Sequence, residues 1–215
     1  MKRLHKSEIP QPLLDACIEY YPCLFTQTEC YVFLHTLLDE LAFTQGYVRI
    51  RGQPHKEPRL TFMASMHPDI ATYTYAGKCN TIHAMTPTLL KIKERIEQHL
   101  GRDIVFDSVL VNYYRNGDDY ISWHSDDERD IDGSKIGSVS FGATRTFRLR
   151  EKNDHRSKKD YDLSNGDLIL MKGRCQELFQ HTVPKRAHLE SVRLNLTFRC
   201  LKNSFVLLSD NKQQQ

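Results

Sequence analysis

No Cys-x-x-Cys pair occurs among the six cysteines of the 215-residue chain, so neither a zinc ribbon nor a thioredoxin-type redox motif is expected. The cysteines are scattered along a chain too long to need a disulfide framework, which predicts reduced thiols in a reducing compartment. The sequence also has no apolar run of signal-peptide length after its basic start, and none long enough to span a membrane. These absences predict a soluble intracellular protein without membrane association, nuclear if the host is eukaryotic and cytoplasmic otherwise.

A large excess of charge of either sign is missing as well. Lys and Arg number 30 against 27 for Asp and Glu, and the formal net charge of +3 permits contact with a polyanion without requiring it. The 40% hydrophobic and 27% charged residues are typical of one globular domain of this length. We expect an N-terminal arm at 1–25, where prolines interrupt any periodicity, a single domain at 26–203 and a tail at 204–215.

Two stretches of the first half have the apolar spacing of amphipathic helices. The first covers about residues 28–43 and has Thr26 or Thr28 as its cap. The second covers residues 88–99, with a proline suited to its first turn and a glycine suited to its end.

The second half is predicted to consist of strands separated by turns. The expected strands are 47–51 and 59–64 in the first half and 108–114, 136–141, 146–150, 167–171 and 192–200 in the second. Turn-rich segments separate them, among them Asp132-Gly133-Ser134 and residues 153–157. Strands at this spacing favour a β-sandwich or barrel, with the helices packed on one sheet face.

The segment Trp123-His124-Ser125-Asp126 places two metal-ligand types close together. In an extended chain His124 and Asp126 point the same way, which gives one imidazole nitrogen and one carboxylate oxygen. A second histidine would complete a two-His, one-carboxylate face, an arrangement that suits non-haem Fe(II) better than zinc. The alternative is an ordinary surface triplet, because a His-x-Asp motif alone has a high false-positive rate.

The segment 192–199 alternates strictly between apolar and polar residues, which predicts a strand. Its polar face carries Arg193, Asn195, Thr197 and Arg199. Two guanidinium groups on one face are suited to hold a dicarboxylate. The alternative is a half-exposed strand whose polar face meets solvent.

A third segment, 109–114, runs from apolar residues into Asn112 and Tyr114, which share a face. Both side chains can donate hydrogen bonds to carboxylate oxygens. Alternatively, Tyr114 is a core aromatic with its hydroxyl at the rim.

In this order the motifs resemble the AlkB family of Fe(II)- and 2-oxoglutarate-dependent dioxygenases. The resemblance spans about residues 47–201 and comprises N-x-Y, H-x-D, a distal His181 and R-x-N-x-T-x-R. It is nearest to the nucleic-acid repair branch, because the H-x-D motif continues as H-x-D-D-E through Asp127 and Glu128. Residues 58–61 and 138–142 also resemble segments of that branch.

The resemblance implies an α+β, mainly β fold: a double-stranded β-helix, or jelly roll, with N-terminal helices packed on one sheet. The jelly-roll core would cover about 104–201 and a nucleotide-recognition lid about 47–80. His124, Asp126 and His181 would bind iron. His181 is preferred over His155 and His188 because it precedes the arginine strand, where the family has its distal ligand, within a segment similar to the family's W-x-H-x-x-P.

The resemblance also implies a 2-oxoglutarate site. Arg193 would pair with the far carboxylate, and Arg199 would lie near the metal-side carboxylate and Asp126. The residues that would add hydrogen bonds around the co-substrate are Asn112, Tyr114 and Thr197.

The implied substrate pocket involves the acid after the metal carboxylate and an aromatic segment. Asp127 would reach the amino group of a flipped base, unless it is a solvent-facing carboxylate or a partner for Arg129. Tyr73, Thr74 and Tyr75 match the segment that stacks on the base, although either tyrosine could be a sheet-packing ring instead.

Basic residues near this pocket are candidates for contact with phosphates. Arg51 replaces the large apolar wedge of duplex-preferring relatives, which puts a double-strand preference in doubt. The other candidates are Arg49, His55, Lys56 and Arg59, and a second cluster of Lys152, Arg156, Lys158 and Lys159. The alternative for that second cluster is a solvated loop.

The function implied by the resemblance is DNA alkylation repair by a monomeric enzyme. Fe(II), 2-oxoglutarate and O₂ would hydroxylate the N-methyl group of 1-methyladenine or 3-methylcytosine in DNA or RNA, and formaldehyde would leave. Two rivals remain: an oxygenase of the same fold acting on RNA modification or a protein side chain, and a non-catalytic nucleic-acid-binding module.

Overall fold

The computed structural model describes residues 8–50, 52–68, 74–75, 78–79, 81–101, 103–128 and 131–202. Its helices are α1 (Gln11–Cys17), α2 (Gln27–Glu40), α3 (Pro87–Leu100) and α4 (Cys175–Leu178). The α2 helix begins at a capping box, in which Thr26 accepts from the Glu29 backbone while Glu29 accepts from Thr26. The α3 helix ends at Gly101, whose φ of 101° is a backbone conformation that glycine adopts readily and other residues rarely do. None of the described helices is long and apolar enough to cross a bilayer.

The rest of the described chain is mainly strand, as the sequence predicts. The strands are β1 (Ile18–Tyr21), β2 (Tyr47–Ile50), β3 (Gln53–Lys56), β4 (Leu60–Ser65), β5 (Thr74–Tyr75), β6 (Lys78–Cys79), β7 (His83–Ala84), β8 (Ser108–Tyr114), β9 (Ile121–His124), β10 (Ile131–Gly142), β11 (Arg145–Glu151), β12 (Lys158–Leu163), β13 (Leu168–Lys172), β14 (Phe179–Val183) and β15 (Arg193–Leu201).

These strands form two main sheets and two short hairpins. The large sheet has the order β1-β13-β10-β15-β8-β4-β7, and the small sheet has the order β12-β11-β14-β9. The β4 and β7 strands are parallel, whereas the other pairs of the large sheet are antiparallel. The β2–β3 and β5–β6 pairs lie within the expected recognition lid.

The large sheet is buried on both faces. On one face, Leu194, Leu196 and Phe198 of β15 join a core cluster that includes Leu37 of α2 and Ile92 of α3. The opposite face carries the polar side chains of β15 together with apolar residues of a second core cluster, such as Met63, Leu110 and Met171, and it borders a cavity to which strands of the small sheet also contribute. Alternation along β15 therefore places its apolar side chains in the core and its polar side chains on the side of the cavity.

One predicted turn is wrong. The segment Asp132-Gly133-Ser134 lies inside β10, where the pairing with β15 shifts register between Ile131 and Ile136. The Asp132 carboxylate accepts hydrogen bonds from the Ser134 backbone (3.0 Å) and hydroxyl (2.6 Å), so the local turn chemistry is present. Ile131 pairs with β15 before this irregularity, and after it β10 pairs with β13 from Lys135 and with β15 from Ile136.

The described part of the expected N-terminal arm is packed against the domain. Leu14 and Cys17 of α1 are buried, and β1 pairs with β13 at the edge of the large sheet. The Tyr20 hydroxyl donates to the Asp167 carboxylate at 2.7 Å. The arm therefore contributes a short strand, Ile18–Tyr21, to the large sheet. These contacts cover the edge of β13.

Candidate metal and co-substrate site

The two histidines of the proposed triad are neighbours because their strands pair. His124 ends β9 and is the direct cross-strand partner of His181 in β14. Their ring centroids lie 4.2 Å apart. Asp126 follows two residues after β9 ends, and one ligand atom from each of the three residues lies within 4.8 Å of the others. The sequence-predicted triad is therefore brought together in one place.

The donor atoms of the three residues lie close to one another. The Nδ1 of His124 lies 2.8 Å from the Ser122 carbonyl, which fixes a proton on that nitrogen and leaves Nε2 to bind a metal. That Nε2 lies 3.7 Å from Asp126 Oδ1, and the His181 Nε2 lies 4.0 Å from Asp126 Oδ2. Donors about 2.0–2.2 Å from one ion lie no more than about 4.4 Å apart, and both distances fall within that limit.

Burial sets the protonation states that metal binding needs. It lowers the pKa of His181 to about 3, assisted by the charge of His124, and it also lowers the pKa of His124. Burial raises the pKa of the Asp126 carboxyl, but Arg199 and the two histidines outweigh it and hold the pKa at about 2. At neutral pH the site therefore offers two neutral imidazoles and one carboxylate.

The chain around Asp126 is held by contacts that the sequence did not suggest. The Asp126 backbone N–H donates to Gln176 Oε1 at 2.9 Å, and the Ser125 hydroxyl donates to the Phe179 carbonyl at 2.9 Å. Gln176 lies in the short helix α4, which carries no motif, so only the folded structure identifies this support.

The polar face of β15 is buried, which excludes the solvated-strand alternative. Arg193 and Arg199 are each 1% exposed, and Asn195 and Thr197 are nearly as buried. Pairing with β8 sets Arg193 opposite Tyr114, so the second and third sequence motifs meet across one strand pair.

Arg193 has the properties of an anion-binding residue. Its Nη2 donates to Ser140 at 2.8 Å, whereas its Nε and Nη1 are buried without a hydrogen-bond partner among the residues described. Burial lowers the pKa of Arg193 to about 10, opposed by the nearby Tyr114, so the guanidinium remains charged at neutral pH. A buried cation with two unused donor atoms fits a carboxylate ligand.

One cavity connects the metal triad with this face. It lies between the two sheets. Its polar lining residues are Asn112, Tyr114, His124, Asp126, Ser138, His181, Asn195, Thr197 and Arg199. The apolar part includes Phe147, whose ring stacks on His181 at 5.1 Å. The donor set suits a small dianion beside a metal.

Arg145 is a site neighbour that the sequence did not reveal. It is buried at the start of β11, and its guanidinium carbon lies 5.3 Å from the Tyr114 ring centroid, on which Arg193 also packs at 5.2 Å. Its Nη atoms donate to the carbonyls of Asn116, Asp119 and Pro184. The sequence pattern does indicate that Arg145 is buried, because it alternates in step with the apolar, inward-facing Phe147 and Leu149.

The structure describes the predicted substrate-binding residues only in part. Asp127 is 66% exposed at its side chain, lies beyond the end of β9 and has Lys152 Nζ at 3.5 Å from its Oδ2. Arg51 and Tyr73 lie outside the described residues. Thr74 and Tyr75 form β5, for which only the backbone is described.

Three further interpretations of the sequence concern Arg59, a basic cluster and two histidines. Arg59, taken as a candidate for phosphate contact, is 4% exposed and donates to Asn112, because it points into the domain; that interpretation is wrong. The second basic cluster, Lys152, Arg156, Lys158 and Lys159, extends into β12, which begins at Lys158, so it is not wholly a loop. His155 and His188 are exposed, and the metal-ligand cluster found among the described residues contains neither.

The comparisons with known proteins agree with this geometry. The profile of the 2OG-Fe(II) oxygenase superfamily matches residues 18–199. Human alkB homolog 3, named an alpha-ketoglutarate-dependent dioxygenase, is 39% identical over 189 residues, which cover 83% of this chain and 64% of that protein. The mouse DNA oxidative demethylase ALKBH2 is 34% identical over 191 residues, covering 83% of this chain and 78% of that protein.

A solved structure, that of OsALKBH1, aligns with a TM-score of 0.62 at 19% identity and covers 86% of this chain and 98% of its own, which shows a shared fold. The chain spans 52–64% of the length of the four alkB homolog 3 proteins that it matches. Both the profile match and the ALKBH2 similarity extend over most of the chain. The chain therefore belongs to the 2OG-Fe(II) oxygenase superfamily, among its AlkB homologues.

Proposed function

We propose that this protein is an Fe(II)- and 2-oxoglutarate-dependent dioxygenase that demethylates alkylated nucleobases in nucleic acid. The observation that carries the proposal is the cavity shared by the His124–Asp126–His181 triad and the buried arginine strand. The names of the ALKBH2 relatives, DNA oxidative demethylases, support the substrate class. The preferred lesions are 1-methyladenine and 3-methylcytosine, in DNA or RNA.

The residues present fit the implied iron and its co-substrate. His124, Asp126 and His181 would hold Fe(II) on one face, and the remaining positions suit 2-oxoglutarate and O₂. When bound, this centre supplies the oxidising power that hydroxylates an N-methyl group, with 2-oxoglutarate converted to succinate and CO₂. The C–N bond of the resulting N-hydroxymethyl group then breaks. Formaldehyde is released, and the hydroxyl hydrogen passes to the base nitrogen.

The protein's own residues orient the co-substrate. Arg193 binds the far carboxylate through the donors that have no partner among the described residues. Asn112, Tyr114 and Thr197, which line the cavity, add hydrogen bonds. Arg199 keeps Asp126 ionised and lies beside the metal-side carboxylate. Fixed charges and dipoles of this kind bind and orient the dianion in a site from which most water is excluded.

The substrate enters from the side of Asp127. Its exposed carboxylate accepts a hydrogen bond from the exocyclic amino group of the flipped base, and Tyr73, Thr74 and Tyr75 form the stacking side. Arg51 contacts the strand near the lesion. Methylation at a base-pairing nitrogen weakens pairing, which lowers the cost of flipping the damaged base.

The proposal includes an organisation of the chain. Residues 26–203 form the catalytic domain, with the double-stranded β-helix at about 104–201, helices on the large sheet and a recognition lid at about 47–80. The flanking segments are 1–25 and 204–215. The protein acts as a monomer, in the nucleus if the host is eukaryotic and otherwise in the cytoplasm.

One experiment defines the substrate. The protein is incubated with Fe(II), ascorbate, 2-oxoglutarate and matched oligonucleotides that carry 3-methylcytosine, single- and double-stranded, in DNA and in RNA. We expect loss of the methyl mass in at least one DNA set, with succinate formed in step. Unchanged mass in all four sets, together with succinate formation uncoupled from substrate, would overturn the repair assignment.

A further inference from the structure

Arg59 lies where the recognition lid joins the co-substrate wall. It immediately precedes β4, whose Thr61 is the cross-strand partner of Asn112 in β8. Residues two apart in a strand share a face, which brings Arg59 and Asn112 to the same side of the sheet. Arg59 is 4% exposed, and its Nε donates to Asn112 Oδ1 at 2.6 Å.

The chemistry of this contact dictates the orientation of an amide. A guanidinium has only donor atoms, so Asn112 must present its carbonyl oxygen to Arg59. The amide N–H₂ is then the group of Asn112 left to donate elsewhere. Because Asn112 lines the cavity, that donor is available to an anionic ligand.

A second contact holds Arg59 itself. Its Nη2 lies 3.4 Å from Glu57 Oε1, and Glu57 is also 4% exposed. The Glu57 backbone N–H donates to the Gly46 carbonyl, and its carbonyl accepts from Gln45, so the base of the β2–β3 hairpin is joined to this ion pair. A continuous chain of contacts therefore runs from the lid to the co-substrate wall.

We propose that Arg59 is a positioning residue for the co-substrate: it fixes the Asn112 amide with Nδ2 directed to 2-oxoglutarate. This inference rests on the proposed function, because it assigns 2-oxoglutarate to the cavity. Arg59 acts through Asn112 and makes no direct contact with the ligand. A glutamine at this position can donate or accept, so it leaves the amide free to turn, whereas a lysine can only donate.

The test measures 2-oxoglutarate affinity by calorimetry with Mn(II) in place of Fe(II). Arg59→Gln should weaken binding about tenfold, the effect of losing one well-oriented hydrogen bond to a charged group. Arg59→Lys should stay within about threefold of the wild type, a smaller loss than one such bond. Arg148→Met is the matched control, because Arg148 pairs with Asp160 on the opposite face of the small sheet from the cavity, and it should leave affinity unchanged.

A double-mutant cycle separates positioning from general stability. In an Asn112→Ala background, Arg59→Gln should cause no further loss of affinity. Additive losses, or an unchanged affinity in Arg59→Gln, would overturn the role of Arg59. Absence of 2-oxoglutarate binding by the wild type would instead contradict the proposed function, so the two failures are distinguishable.

Discussion

The Nη2 of Arg199 lies 3.0 Å from Oδ1 of Asp126, and each side chain is 2% exposed. This buried ion pair joins the arginine strand to the metal triad. Burial alone would raise the pKa of the Asp126 carboxyl, whereas the charge of Arg199 lowers it. The strand that binds the co-substrate thus also maintains the ionised form of a metal ligand.

Replacing Arg199 should weaken metal binding. In Arg199→Met, Asp126 loses its cationic partner and its charged form becomes less favourable. We expect metal affinity to fall about 10- to 100-fold, as for other supporting residues around metal ligands. Mn(II) titration followed by electron paramagnetic resonance measures this. The control is Arg156→Met, which removes an exposed arginine paired with Asp154 and should have no effect; equal affinities in all three proteins would refute the role.

Replacing Arg193 should separate stability from ligand binding. Arg193→Met removes a buried cation that leaves two donor atoms without a partner in the described structure, so the ligand-free protein should unfold at the same or a higher temperature. Affinity for 2-oxoglutarate should fall by at least about 100-fold, because the far carboxylate loses its charged partner. Thermal unfolding and calorimetry test the two parts. A destabilised variant with normal affinity would contradict the assignment.

The choice of the distal histidine can be tested by metal stoichiometry. His181→Ala removes one of three ligands and should abolish stoichiometric Fe(II) binding and turnover together. His155→Ala and His188→Ala alter exposed residues, so both should bind and turn over as the wild type does. Full activity in His181→Ala, or its loss in His155→Ala, would overturn the ligand set.

Asp127 should affect substrate turnover alone. Because its side chain is exposed, Asp127→Ala should change the free energy of unfolding by no more than about 0.5 kcal/mol. Affinity for 2-oxoglutarate should also stay the same, while demethylation of 3-methylcytosine falls about tenfold or more with the loss of one hydrogen bond to the base. Lys152→Met, which removes the ion-pair partner of Asp127 and one hydrogen bond to the Gln176 carbonyl, should retain most activity. Normal turnover in Asp127→Ala would remove this residue from the pocket.

Much of the site was predictable because its residues belong to regular patterns. Alternation along β15 predicted which side chains share a face, but alternation cannot show whether a polar face is covered. Burial of Arg193 depends on contacts between segments far apart in sequence, among them those with Ser140 of β10 and Tyr114 of β8. The cross-strand pairing of His181 with His124 is likewise long-range, so only the family resemblance indicated that ligand.

The features that were missed have a common physical cause. The charged strand β12 lacks an apolar pattern, yet it pairs with β11. Asp160 of β12 accepts two hydrogen bonds of 2.6 Å from Arg148 of β11. The Asp132–Ser134 segment has turn chemistry but lies within β10, whose residues before and after it pair with neighbouring strands. In each case a partner strand outweighs local preference.

Coupling between co-substrate oxidation and base repair tests the central claim most directly. Succinate and lost methyl groups are counted together for the wild type and for Asp126→Ala, on single-stranded DNA that carries 3-methylcytosine. The proposed dioxygenase function predicts one succinate for each methyl group removed by the wild type and neither product from Asp126→Ala. Methyl groups that persist while the wild type forms succinate, or demethylation that survives in Asp126→Ala, would contradict it.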